Sequence, residues 1–398
     1  VKHPDGKPVL LRHARIVLPE QIAEASSLLI EHGRIAHIFD SHSNRFDQTD
    51  FVLDLDGLTL FPGFIDVHIH GAIGVDTMAG SADDLRRVSE YLARQGVTAW
   101  MPTFVPAADA EYELGIRAIE ETFEDRGPHS SALLARVLGV HYEGPFVNSE
   151  QCGALHREHF RTFKDASDLD SLPTIKHAGA RHLMTLAPEI EGGIELVKAL
   201  VRRGWIVSLG HTRAPADTLD QALQAGARHM THFMNAMTPL HHRAPGPVGW
   251  GLIHDEVTCD VIADGVHLDP SILKLILRSK TAERISLISD AVAPTGLGDG
   301  EYQIWGETIR VENGRTKNIR GSIAGSVITM LDAVRMMLSL GASEAAVARM
   351  ASLNPARLLG IDDDCGSIEE GKRADLLAID RDGQIRLTII GGVPAMTS

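Results

Sequence analysis

Cysteine is scarce in this chain: 398 residues carry three, Cys152, Cys259 and Cys365. They are odd in number and far apart, so neither a disulfide framework nor a paired-cysteine zinc site is expected. Positive charge is also short, with 38 Lys and Arg against 53 Asp and Glu and a formal net charge of −15. That balance repels nucleic acid and anionic membrane at long range, so neither is an expected partner, and an anionic small substrate would need local cations. No stretch reaches the roughly 18 apolar residues of a membrane span. The opening segment VKHPDGKPVLLRHARIVL lacks a secretory apolar core and cleavage site, and a soluble cytoplasmic enzyme is the expectation. A glycine-rich dinucleotide loop and an internal repeat are missing too.

Apolar residues, by contrast, make up 44% of the chain and charged ones 23%, enough for one large core and an accessory unit. Short alternating segments between Val9 and Leu60 suit a small antiparallel sheet, and the same texture returns in GKRADLLAIDRDGQIRLTIIGGVPA. Residues 1–61 and 362–398 are therefore expected to build one small β-sandwich domain from both chain ends. Between them, in 62–361, buried runs alternate with helix-like stretches. The runs are 61–71, 97–105, 136–146, 182–189, 205–212, 229–237, 257–268 and 284–294. Eight such units predict an α/β fold, a (β/α)8 barrel. A doubly wound open sheet is the second choice; it gives no reason for nearly every run to end in a polar or metal-binding residue.

Those ends hold the chemistry, and 20 histidines are more than core packing asks for. His68 and His70 flank Ile69 at the end of the first run, and residues i and i+2 of a strand share a side. Glu143 ends the third run in HYEGPF, where a buried carboxylate needs a partner or a metal. His211 and His232 end the fifth and sixth. Glu143, His211 and His232 supply three ligands and leave a position open, as a catalytic metal requires. Asp290 ends the eighth run, placed to take a proton from a metal-activated water and return it to a leaving nitrogen. Its other reading is a helix cap before AVAP.

With these residues in view, the chain resembles the amidohydrolase superfamily and, within it, the N-acetylglucosamine-6-phosphate deacetylases. The strings that carry the resemblance are PGFIDVHIHG, HYEGPF, LGHT, THFMNAM, HRAPG, ADGVHL, ISDA, IAGS, NPAR and GKRADLLAID, spread over the whole chain. The resemblance implies Glu143, His211 and His232 as ligands of a catalytic divalent metal, and Asp290 as general base and then acid. It implies sugar-phosphate contacts from Asn235, Ala236, His267 and Arg243, with Arg243 reaching the neighbouring subunit's site in a homodimer. Zinc is the first expectation for the ion, and Fe2+, Mn2+ and Co2+ suit the same mixed donor set. The reaction implied is hydrolysis of an N-acetyl amino-sugar phosphate to acetate and the amino sugar. Residue by residue, Arg243 with His241 and His242 also reads as a solvated loop, and His267 as a cap of the helix begun by DPSILKLIL.

Two features depart from the family pattern. Retention of both His68 and His70 leaves room for a second metal bridged by Glu143, so one or two ions per subunit are open. After EGPF, members carry a histidine in a GAH or GTH string, whereas this chain reads CGALH. Leu155 stands at that place and His156 follows. Either the loop shifts so that His156 substitutes, or a second metal polarises the carbonyl, or the substrate is another N-acetylhexosamine phosphate or N-acyl compound such as an N-acyl amino acid. Dihydroorotase-like hydrolysis is disfavoured because HLMTLAPE has no lysine to carboxylate, and a non-catalytic relative because the ligand set is full. The glycine-rich 294–302 segment reads as a flap or an exposed hairpin turn, and Cys152 as incidental.

Overall fold

The buried runs become neighbours in one parallel sheet. The computed structural model describes residues 7–40, 51–124 and 133–396. In it Phe64–Ile69, Val97–Phe104, Gly139–Glu143, Arg181–Leu186, Ile206–Leu209, His229–Met230, Thr258–Ile262 and Ile285–Ile288 lie side by side, each paired in parallel with the next. Ile69 then pairs in parallel with Ala291, and the His70 amide donates to the Ala291 carbonyl at 2.8 Å. The eighth strand thus returns to the first, and the sheet closes as a barrel. An open doubly wound sheet has two free edges and is excluded. Every residue of the first two strands is buried, as expected of parallel strands covered on both faces.

Helices lie between the strands, among them Ala82–Arg94, Gly193–Arg202 and Ala216–Ala225. The first shows how sequence sets a boundary. Ser81 stays extended and its hydroxyl accepts from the Asp84 amide, while the Asp84 carboxylate accepts from the Ser81 amide at 3.1 Å. Leu85, Val88 and Leu92 then recur on the buried face. Ser81→Ala leaves a terminal N–H without its partner and should lower unfolding stability by about 1 kcal/mol, read from the midpoint of a urea titration. An unchanged midpoint would show that the cap adds nothing here.

The chain ends meet in a second sheet. Its strand order is Val393–Met396, Ile385–Ile390, Leu376–Ile379, Thr59–Pro62, Val9–Val17, Ile22–Glu31 and Arg34–Phe39, with Phe51–Asp54 also on Val9–Val17. Residues 9–12 pair with 51–54, and residues 15–16 with 59–60. Leu11, Ile16, Leu28, Ile35, Leu60, Leu376 and Ile389 fill its core. A separate cluster joins Ile65, Met101, Leu183, Ile262 and Ile288 from five barrel strands to Ala356 and Leu359.

Candidate metal centre and active site

At the C-terminal ends of the barrel strands, nitrogen and oxygen donors from five strands converge. His211 Nε2 and His232 Nε2 lie 2.9 and 2.8 Å from Glu143 Oε1, and 3.2 Å from each other. His68 and His70 face the same carboxylate: their Nε2 atoms are 3.1 Å apart, and that of His70 is 3.4 Å from Glu143 Oε2. Asp290 Oδ1 stands 3.4 and 3.3 Å from those two nitrogens. All six residues are buried. The i, i+2 spacing of His68 and His70 thus delivers both rings to one point.

Local backbone aims these side chains. His211, His232 and Asp290 all adopt left-handed conformations, at φ 47°, 31° and 50°. Such strain in non-glycine residues persists only where the surroundings hold it. The Asp290 amide donates to the His68 carbonyl and the Ser326 amide to the Asp290 carbonyl, at 3.0 and 2.7 Å. His211 Nδ1 donates to the Gln151 carbonyl at 2.7 Å, which turns Nε2 toward Glu143. Beyond His211, the Glu189 carboxylate accepts from the Thr212 hydroxyl and the Arg213 amide. No helix begins directly after Asp290, where the next element is the strand Gly300–Ile304, so capping is not its role, and the helix Pro270–Lys280 takes Asp269 as its cap, not His267.

A polar layer supports the donors. His141, two residues before Glu143, donates from Nδ1 to the Val67 carbonyl at 3.0 Å; its Nε2 must then accept, from the Thr185 hydroxyl at 2.8 Å. Thr185, Thr231 and Ser208 continue the chain of hydroxyls at 2.6 and 2.5 Å. Burial pushes the His141 pKa down to about 3, in keeping with this neutral tautomer. Asp66 accepts from the Ser289 hydroxyl at 2.5 Å and joins the first strand to the eighth; burial pushes its carboxyl up to about 7.

The electrostatics suit a cation. Burial alone would raise the Glu143 pKa, yet hydrogen bonds from His211, His232 and His70 hold it well below the usual range. Burial opposes protonation of His70, but Asp290 and Glu143 outweigh it and lift its pKa to about 10. Four imidazole nitrogens crowded about one carboxylate form a donor set that a divalent ion satisfies. Among the described residues two groups meet the requirement, His68–His70–Glu143 and Glu143–His211–His232, each with ligand atoms within 4.8 Å of one another. The chain therefore has the residues to hold a metal, with Glu143 common to both groups.

Beside the donors opens a cavity of about 340 Å³, lined by His70, Glu143, His211, His232 and Asp290, and also by Leu155, Asn235, Ala236 and His267. Asn235 Nδ2 donates to the His232 carbonyl at 3.2 Å, and His267 Nδ1 to Asp264 at 2.7 Å. Two sequence candidates lie elsewhere in this chain. The His156 ring turns to Glu158 and Glu307, at 3.2 and 3.4 Å, so the loop does not shift to present it. Arg243 sits on an exposed loop with Nη1 2.8 Å from His242 Nε2. Sequence reading missed Trp305 and Ile323, which also line the cavity. The alternation in YQIW and TIRVENG was the available signal: it forms the antiparallel strands Gly300–Ile304, Glu307–Glu312 and Arg315–Lys317. Cys152 is buried and accepts from Arg157 Nε at 3.3 Å.

Residues 59–395 match the model of a family described as the Amidohydrolase family. The chain is 34% identical to the N-acetylglucosamine-6-phosphate deacetylase of Bacillus subtilis (strain 168), over 99% of this chain and 98% of that one. It is 36% identical to the N-acetylgalactosamine-6-phosphate deacetylase of Escherichia coli O157:H7, over 93% and 95%. Among solved structures, the N-acetylglucosamine-6-phosphate deacetylase of Pasteurella multocida superposes with a TM-score of 0.89 at 28% identity, covering 98% of this chain and all of that one.

Proposed function

The chain belongs to the amidohydrolase family, and from that membership we propose that it hydrolyses the acetamide of an N-acetyl amino-sugar 6-phosphate, releasing acetate and the free amine. The observation that carries the reading is the convergence of Glu143, His211 and His232 beside Asp290 at the mouth of the barrel. We assign Glu143, His211 and His232 to a catalytic divalent ion, zinc first, and His68 and His70 with Glu143 to a second. An ion so held acts as a Lewis acid, polarising the amide carbonyl and bringing the pKa of water toward about 7.

The chain's own groups supply the rest. Asp290 takes the proton of the attacking water at its carboxylate and hands it to the departing nitrogen. Asn235, the Ala236 backbone and His267 hold the sugar. Among the described residues, those lining the cavity include no lysine or arginine. We therefore assign the phosphate to Arg243 of a neighbouring copy, whose planar fork pairs two oxygens, and propose a homodimer. Among the described residues no helix is long and apolar enough to cross a membrane. The proposed setting is the cytoplasm, because a charged sugar phosphate does not cross a bilayer unaided.

The galacto epimer is the second reading, favoured by the 36% identical relative that acts on N-acetylgalactosamine 6-phosphate and by Leu155 where the family carries a histidine. Acetate release should be measured from both 6-phosphates and from the unphosphorylated sugars. We expect one 6-phosphate to exceed its unphosphorylated counterpart by at least 100-fold in kcat/KM. Equal rates with and without phosphate would defeat the phosphate assignment.

A further inference from the structure

The hairpin over the cavity carries a bulky side chain where backbone chemistry disfavours one. Ile304 pairs with Glu307, so Trp305 and Gly306 form a two-residue turn, at φ 52° and 74°. Turns with two left-handed residues ordinarily take asparagine, aspartate or glycine first, and an aromatic residue there is strained. Such strain points to a use for the side chain.

The surroundings fix that indole firmly. Ile304 and Ile309 of the hairpin share a small core with Val292, Ala293 and Ala324, against which Trp305 and Ala154 pack. Arg320 fastens the hairpin to the loop beneath, donating to the Ala154 carbonyl at 2.7 Å and to Glu307 at 3.4 Å. The Trp305 side chain lies beside the Asp76 carboxylate. Asp76 is itself fixed by the Met78 and Ala79 amides, at 2.9 and 3.1 Å. The indole meets the His70 ring edge-on, with centroids 5.2 Å apart, and lines the cavity with Leu155 and Ile323. It is a built wall.

Given the deacetylase reading, on which this step rests, the scissile carbonyl lies between Glu143 and Asp290. The sugar lies toward Asn235, Ala236 and His267, beyond the sixth and seventh strands. The acyl substituent then points toward the first strand, where His70 and Trp305 stand. We infer that Trp305, backed by Leu155 and Ile323, is a specificity-determining residue that limits the N-acyl group to acetyl. Each further methylene must displace the indole or leave the carbonyl out of position. Discrimination in an apolar pocket runs to roughly 10- to 200-fold per methylene.

N-acetyl, N-propionyl and N-butyryl forms of the preferred hexosamine 6-phosphate should be compared in the metal-loaded wild type, Trp305→Leu and Trp305→Phe. The readout is the ratio of kcat/KM for butyryl over acetyl within each preparation, which loss of folded protein does not move. The wild-type ratio should lie below about 0.01, rise at least tenfold in Trp305→Leu and take an intermediate value in Trp305→Phe. Near-equal rates in the wild type, or ratios in both variants within twofold of it, overturn the assignment. Loss of all acyl release in both variants also overturns it, since Trp305 would then serve the chemistry itself. If the wild type releases nothing even from the N-acetyl sugars, it is the deacetylase reading that has failed.

Discussion

Replacing Asp290 by asparagine should lower kcat for acetate release by about 10²- to 10⁴-fold, the range that general acid–base catalysis contributes. The substitution suits the site unusually well. Asp290 holds a left-handed conformation, φ 50°, that asparagine tolerates better than most side chains. The amide is nearly isosteric and can still meet His68 and His70, which lie 3.4 and 3.3 Å from Oδ1. What it cannot do is accept a proton from water and pass it on. KM and the metal content of the purified protein should therefore stay within a fewfold of wild type while kcat falls. A drop in kcat below tenfold with metal retained would remove Asp290 from the proton path. A parallel loss of metal would make it a ligand.

The fold was largely legible because its determinants are local. Each barrel strand is a short buried run bounded by turn residues, and the helix Ala82–Arg94 carries its own apolar stripe; Ser81 and Asp84 even write a capping box into the sequence. The donors were legible for the same reason. The i, i+2 spacing of His68 and His70 fixes their common side, and Glu143, His211, His232 and Asp290 each follow an apolar run. What could not be read depends on contacts between distant segments. The chain of hydroxyls from His141 through Thr185 and Thr231 to Ser208 spans four strands, and no one stretch announces it. The left-handed backbone at His211 and His232 is set by neighbouring loops, not by residue type. Trp305 comes to lie against His70 only because a hairpin more than 200 residues later folds back over the mouth. His156 was drawn aside by Glu307, a carboxylate on that same hairpin.

Glu143→Ala should be the most damaging single change at the centre, and comparison with His70→Ala shows why. Glu143 belongs to both donor groups, whereas His70 belongs to one. Its removal takes a ligand from each and also withdraws the negative charge that four imidazoles face. The alanine variant should therefore lose far more activity than the roughly 10- to 100-fold that follows loss of an outer-shell partner. It should also be purified with well under one ion per chain by elemental analysis. His70→Ala leaves Glu143, His211 and His232 intact and should keep close to one ion per chain. If a second ion is required for turnover, His70→Ala will lose activity while keeping the first; if one ion suffices, kcat should stay within about tenfold of wild type. A Glu143→Ala protein with full metal content and near-normal acetate release would show that the donors converge without holding the catalytic ion, and the hydrolytic reading would fall with it.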